Sequence, residues 1–475
     1  MQTRTPLYAH QQRAVDKVAR LRVAGLFMEM GTGKTRVAIE LACLRQARID
    51  RVVWFCPVSL KETVAEEIRK HTDSAESDLV LFDDRINLRT LSMSAFWYII
   101  GIESMSASNR IVLCANRLIT TRSLVIVDES SYIKGHAARR TQRITRLSER
   151  AHYRLILTGT PLSQGVVDLF AQMRFLSPKI LGYHSFYSFA RNHLEYSEKY
   201  PGMIVAAHNV GWLAAKVQPY VYQVTKAECL DLPRKLFDVR YVSLSPEQEF
   251  AYQQAKYEIL QPDSDGEIDS YTIFRLFTAL QQIASGYWLR TDPRTGERER
   301  LEFPNHRLAY LMAALMDVSA ETRVIIWVKY RRSLEAILAA LAAEYGAEAV
   351  ATFHGGLSER ERSAQLALFR QQARFLVATM QSGGHGLNLT EANHVIFYEN
   401  EFKYATRLQA EDRCHRIGQT LPVTYLDLVA CCGIENRIRA ALQNKGNAVS
   451  DFKRRVGEIK DLRGRELRAA VLKLI

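Results

Sequence analysis

Residues 26–35 read LFMEMGTGKT, and no other stretch constrains the chain as strongly. An apolar run leads into Gly31-Thr32-Gly33-Lys34-Thr35, and Val37, Ile39, Leu41 and Leu44 follow at helical spacing. Strand, glycine-rich loop and helix in that order are the setting of a phosphate-binding loop. The glycines let backbone N–H groups turn inward, and the helix aims the positive end of its dipole at the same point. In such a loop Lys34 would reach the β- and γ-phosphates, and the Thr35 hydroxyl would ligate Mg²⁺. Met28 stands five residues before Gly33, where the usual pattern has its first glycine.

A chain of 475 residues suits two or three domains, each with its own core. The apolar and charged fractions, 47% and 24%, are those of a soluble globular protein. No run of 18 apolar residues predicts a membrane span, and the opening MQTRTPLYAHQQ lacks an apolar signal core. Seven cysteines without a C-x-x-C pair argue against a disulfide framework or a zinc knuckle. Cys431 and Cys432 read as buried small residues in a reducing cytoplasm. A formal charge of +13 fits a polyanionic partner.

Tyr8, Val15, Val18 and Leu21 predict an amphipathic helix ahead of the first strand. It carries Gln11, whose carboxamide can donate to and accept from an adenine edge; a plain surface glutamine is the alternative. Residues 51–60, RVVWFCPVSL, predict a buried parallel strand and turn, followed by a helix over 61–70. A second apolar run covers 96–102 and ends at Glu103-Ser104. Residues 123–127 predict a strand that delivers Asp128 and Glu129 at its C-terminal end, where ligands sit in open parallel sheets. One carboxylate holding Mg²⁺ and the next deprotonating or orienting water is an economical pair for nucleotide hydrolysis. A short strand over 154–157 ends at Thr158-Gly159-Thr160-Pro161. Arg139, Arg143, Arg146, Arg150 and Arg154 recur at spacings of three and four, as a solvated helix face or as part of a nucleic-acid surface.

In order, the chain shows Gln11, MGTGKT (30–35), PVSL (57–60), DESS (128–131), LTGTPLSQG (157–165), SGGHGLNL (382–389) and QAEDRCHRIGQT (409–420). This series resembles helicase superfamily two, and within it the Swi/Snf-type family of DNA-translocating ATPases. The last two motifs separate it from DEAD-box RNA helicases. VTKAECLDLPRK (224–235), VSLSPEQEFAY (242–252) and the 280–289 run are also family-like. Three positions depart from the pattern: Met28, Asp-Glu-Ser-Ser in place of Asp-Glu-Ala-His, and Tyr222-Gln223 in place of paired arginines.

The resemblance implies an α/β fold of two RecA-like, doubly wound parallel-sheet lobes with ATP between them. Lobe 1 would cover 1–230 with a helical insertion at about 165–215. Lobe 2 would cover 231–445, beginning as a bridging segment near Leu236, with a helical insertion at about 246–300 and its main sheet over 304–444. Within that sheet, strands are predicted at 323–328, 349–353, 375–378, 394–398 and 423–428, with helical patterns between most of them. Residues 446–475 would form a basic helical tail or brace.

By similarity, ATP and Mg²⁺ are held by Gln11, Gly31, Thr32, Gly33, Lys34, Thr35 and Asp128, with Thr35 and Asp128 on the metal. Glu129 and Lys34 carry the chemistry, and Arg413 and Arg416 are the arginine fingers. Three residues apart on a helix, those two would point the same way. Thr158, Thr160 and Gln409 belong to the coupling motifs. Ser59, Lys61, Ser104, Lys329, His354, Ser382 and Gly383 would line the surface that tracks a phosphate backbone. Trp327 is read as core, and His415 as a packed residue. The implied activity is ATP-dependent translocation on double-stranded DNA, in the cytoplasm or wherever the DNA is. Protein partners would supply the targeting. A strand-separating helicase on DNA or RNA and an ATP-switched clamp or assembly ATPase are the alternatives.

Overall fold

The protein is described by a computed structural model, covering residues 1–159, 165–196, 204–260, 270–291, 295–383, 387–444 and 466. The expected tail over 446–475, the loop at 261–267 and Thr160 lie outside the described residues, Glu466 excepted. The chain divides into two compact units, Met1–Asp231 and Leu232–Ile475.

The first unit is built on a seven-stranded sheet. Its strands are β1 (Val23–Met28), β2 (Arg51–Cys56), β3 (Leu79–Leu81), β4 (Trp97–Gly101), β5 (Ser123–Val127), β6 (Tyr153–Thr158) and, after a small hairpin of β7 (Leu194–Tyr196) and β8 (Ile204–Ala207), β9 (Val221–Val224). The order is β3-β4-β2-β5-β6-β1-β9, every pair parallel. Parallel strands must be covered on both faces, which is why they read as unbroken apolar runs. Alternate residues accordingly enter two cores. Phe27, Val53, Phe55, Val125, Val127 and Ile156 share one face, and Leu26, Val52, Trp54, Leu124, Ile126 and Leu155 the other.

The second unit repeats the plan with six strands. They are β10 (Lys235–Val242), β13 (Val324–Val328), β14 (Val350–Phe353), β15 (Phe375–Thr379), β16 (His394–Phe397) and β17 (Val423–Ala430), with a hairpin of β11 (Tyr287–Thr291) and β12 (Arg298–Glu302) inserted. The order is β10-β17-β16-β13-β15-β14, again all parallel. Trp327 is fully buried in this sheet's core, as expected.

Several expectations need correction. The segment at Leu236 is not a bridge: β10 pairs with β17 along its whole length, from Lys235 beside Val423 to Val242 beside Ala430. Among the described residues, the insertion at 246–300 is helical only over Pro246–Ile259 and Ser270–Ala284, and behind them Tyr287–Thr291 and Arg298–Glu302 pair as the β11–β12 hairpin. Cys431 is exposed, while Cys432 is buried as expected. The arginine series is not one surface. Arg143 donates to Met105 O and Asn109 Oδ1, Arg150 holds Asn116, and Arg154 sits half-buried in β6. Among the described residues, no helix is long and apolar enough to cross a membrane.

Candidate nucleotide site and nucleic-acid contacts

At the C-terminal end of β1 the chain turns through Gly31 and Gly33, with φ of 80° and 85°. Side chains rarely adopt that region, so glycine is required at both turns. Space enforces it at Gly33 too, where a Cβ would lie 2.1 Å from Gln11 Nε2. Gly33 caps the helix Lys34–Leu44, so Lys34 and Thr35 open that helix at the loop. Thr32 is buried and ties the loop to its own strand, its hydroxyl donating to Glu29 O at 2.7 Å. Thr32 O in turn accepts from His10 Nε2 at 2.8 Å and Gln11 Nε2 at 3.1 Å.

Gln11 is therefore a buried brace of the loop, not the surface residue that was its alternative reading. Its Oε1 accepts from Tyr8 N at 3.0 Å. A carboxamide offers two N–H groups and two lone pairs, so one donor and one acceptor are left for a base edge. Sequence reasoning missed His10, whose only signal was its place beside Gln11.

Asp128 and Glu129 follow β5, two strands away from β1 with β6 between. Both are buried. Burial pushes the Asp128 carboxyl up to about 6; Glu129 adds to the shift, while Lys34 and the Glu129 N–H oppose it. Asp128 is an oxygen donor beside the Lys34 charge, which favours its ionised form. With the Thr35 hydroxyl it makes a donor set suited to Mg²⁺. Glu129 has φ 50° and ψ 60°, a left-handed conformation that costs a side-chain-bearing residue about 1–2 kcal/mol. Its Oε1 accepts from Ser131 Oγ at 2.9 Å. Ser130 Oγ donates to Gln172 Oε1 at 2.6 Å, a link with no sequence signal. Thr158 ends β6 fully buried beside Phe27 of β1.

In the second unit, Arg413 and Arg416 are not on a helix. The helix Tyr404–Glu411 stops before them, and both lie in the turns that follow. They still point the same way, because each donates to Leu387 O. Arg413 Nε also donates to the carbonyl of Gln409, at 2.9 Å. His415 is packed, as read, and donates to Pro233 O at 2.8 Å.

The seven nucleic-acid candidates divide. Ser59 is exposed in the turn Val58–Leu60, and Ser104 opens the short helix Ser104–Ala107. Glu103 joins these two loops by accepting from Val58 N at 3.0 Å. Ser382 lies beside Gly355, next to His354, and Gly383 ends the turn Met380–Gly383. The lysines and His354 turn inward. Lys61 is buried and donates to Phe82 O at 2.9 Å. Lys329 is half-buried, with its ammonium 3.0 Å from the centroid of the Phe402 ring and donating to Gln281 Oε1 at 2.8 Å. His354 Nδ1 accepts from Gly356 N and Arg331, and burial with Arg331 and Arg362 lowers its pKa. A lone lysine in a sequence gives no sign that its ammonium faces inward.

Residues 10–286 match the SNF2-related domain, and residues 306–418 match the helicase conserved C-terminal domain. The putative ATP-dependent helicase/translocase YwqA of Bacillus subtilis is 28% identical over 341 residues, 68% of this chain and 35% of that protein. The chromodomain-helicase-DNA-binding protein 1-like of Danio rerio is 24% identical over 436 residues, 88% of this chain and 40% of that one. The chain thus spans well under half the length of these relatives. The solved SWI2/SNF2 ATPase core of Sulfolobus solfataricus in complex with dsDNA is 23% identical, covering 98% of this chain and 97% of that one with a TM-score of 0.43. The family match takes in more than half of the chain and both of its sheets. The chain belongs to the SNF2-related family.

Proposed function

We propose that this chain hydrolyses ATP in response to double-stranded DNA and uses the cycle to track the DNA backbone, remodelling DNA or protein–DNA complexes. The observation that carries the reading is the grouping, at the C-terminal ends of β1 and β5, of the glycine loop, the opening of the Lys34–Leu44 helix and the buried Asp128-Glu129 pair. Loop N–H groups and Lys34 bind and orient the phosphates. Thr35 and Asp128 would hold Mg²⁺, which would supply positive charge to the phosphates. Glu129 accepts a proton from water as the water oxygen bonds to the γ-phosphorus. The bond from that phosphorus to the bridging oxygen breaks, leaving ADP and inorganic phosphate. Arg413 and Arg416 offset the charge on the transferred group, a contribution of ~10³–10⁵ in turnover for an arginine finger. Backbone contacts of the Ser59, Ser104 and Ser382 kind carry no sequence information, so targeting comes from protein partners.

The test is the ATPase rate with no nucleic acid, single-stranded DNA, duplex DNA and duplex RNA, paired with triplex displacement. Stimulation chiefly by duplex DNA, with displacement and no unwinding, is the expected result. Stimulation by single strands with unwinding would replace this reading with a strand-separating helicase.

A further inference from the structure

Behind Glu129 lies a polar contact that the family pattern does not contain. Ser130 stands where the family signature has alanine, and its hydroxyl donates to Gln172 Oε1 at 2.6 Å. Gln172 sits on the helix Val167–Leu176. Both side chains have no exposed surface, so water cannot replace either partner. Gln172 Nε2 donates to Asp168 O at 2.9 Å. A carbonyl can only accept, so this bond fixes which end of the carboxamide faces Ser130. The pair is a directed bond between two buried groups, and deleting one end takes a buried partner from the other.

Its place gives it a consequence for the chemistry. Ser130 is bonded covalently to Glu129, whose left-handed backbone persists only where its surroundings hold it. Three local bonds help: Glu129 N to Asp128 Oδ1, Ser131 Oγ to Glu129 Oε1, and Tyr132 N to Glu129 O, each at 2.9 Å. All three lie within residues 128–132 and move with the turn. Ser130–Gln172 fastens the turn to the helix Val167–Leu176, alongside Asp128 N donating to Phe55 O at 2.7 Å and Arg140 Nε donating to Tyr132 O at 2.8 Å.

We propose that Gln172 is a positioning residue that holds the Ser130 hydroxyl, and through it the Glu129 turn, so that the Glu129 carboxylate sits where water is activated. The inference rests on the ATPase reading above and deepens it. Asp168, next to Gln172 in the chain of bonds, is itself buried with Lys134 Nζ 3.6 Å from its carboxylate, which anchors the helix end of the link.

The experiment compares Ser130→Ala, Gln172→Leu and the double variant with the wild-type chain. Turnover at saturating ATP and duplex DNA, the Kd for ATP and the melting temperature are all measured. Each single variant should lose turnover by about tenfold or more, with ATP affinity within about threefold of wild type. The double variant removes both ends of the Ser130–Gln172 bond at once, so the two losses should not multiply, and its turnover should exceed that of the worse single variant. Single variants with wild-type turnover would overturn the proposal. So would losses that multiply in the double variant, equal losses of ATP affinity, or a turnover per folded molecule that is unchanged while only melting falls. A wild-type chain that hydrolyses no ATP with any nucleic acid overturns the ATPase reading, and this inference with it. Active wild type with silent variants overturns this inference alone.

Discussion

Arg413 and Arg416 donate to one and the same oxygen, Leu387 O, at 3.3 and 3.1 Å. The two guanidiniums are thereby held side by side although the helix has already ended at Glu411. They are not equivalent. Arg413 is buried and also clasps Gln409 O, whereas Arg416 is half-buried. Arg416→Ala should keep ATP and DNA binding and lose most DNA-stimulated turnover. Turnover within about threefold of wild type, ~0.6 kcal/mol in the barrier, would rule out the finger role. Arg413→Ala should lower the melting temperature as well, because Gln409 O loses its side-chain donor and Leu387 O one of its two.

The division of labour at the nucleotide site is tested by two variants. Glu129→Gln should abolish hydrolysis and leave ATP bound, since the glycine loop, Lys34 and Asp128 are untouched. Lys34→Ala should weaken nucleotide binding too, and it removes the charge that favours the ionised form of Asp128. Equal loss of ATP affinity in both variants would show the roles to be wrongly assigned.

The sheet centres were legible in the sequence because parallel strands covered on both faces are unbroken apolar runs. β5 falls on the expected residues, and β13, β15 and β17 within two residues of them. β10 was not legible. It is an edge strand that leaves Leu236, Phe237 and Tyr241 exposed among Asp238 and Arg240, so its composition does not signal burial. The site shows the same boundary. Residue types at motif spacing announced the glycine loop and the Asp-Glu pair. The inward turns of Lys61 and Lys329 and the Ser130–Gln172 bond depend on neighbours 21 to 48 residues away in the chain. Arg413 and Arg416 were read as helical because nothing before Gly418, with φ 103°, marks the stop.

Gly33→Ala isolates the loop's geometry. The added Cβ would meet Gln11 Nε2 at 2.1 Å, and φ of 85° is itself unfavourable for alanine by about 1–2 kcal/mol. ATP affinity should fall by tenfold or more. Adding Gln11→Ala relieves the contact and leaves the backbone strain, so affinity should recover only in part. Wild-type affinity in Gly33→Ala would mean that ATP binds without this turn.

Lys329 gives a pH signature that separates a core cation from a DNA contact. Burial lowers its pKa from 10.5 to about 8, while Glu401, Glu399 and Glu435 oppose the shift. Between those two values the unfolded chain holds more protons than the folded one, so this group's contribution to stability rises with pH. Below about 8 both states are protonated and the whole burial penalty is present, on the order of 3 kcal/mol. Lys329→Met carries no such penalty at any pH. The stability of the variant minus that of wild type should therefore be greatest near pH 7 and shrink as the pH rises toward 10.5. Denaturant unfolding at several pH values reads the difference directly, and titrations common to both chains cancel. A difference that is flat or grows with pH would refute the buried-cation assignment. In the same variant the salt dependence of DNA binding should stay as in wild type. Loss of a phosphate contact would instead reduce the slope by about 0.9. In this structure the Lys329 ammonium lies under Phe402 and is bonded to Gln281.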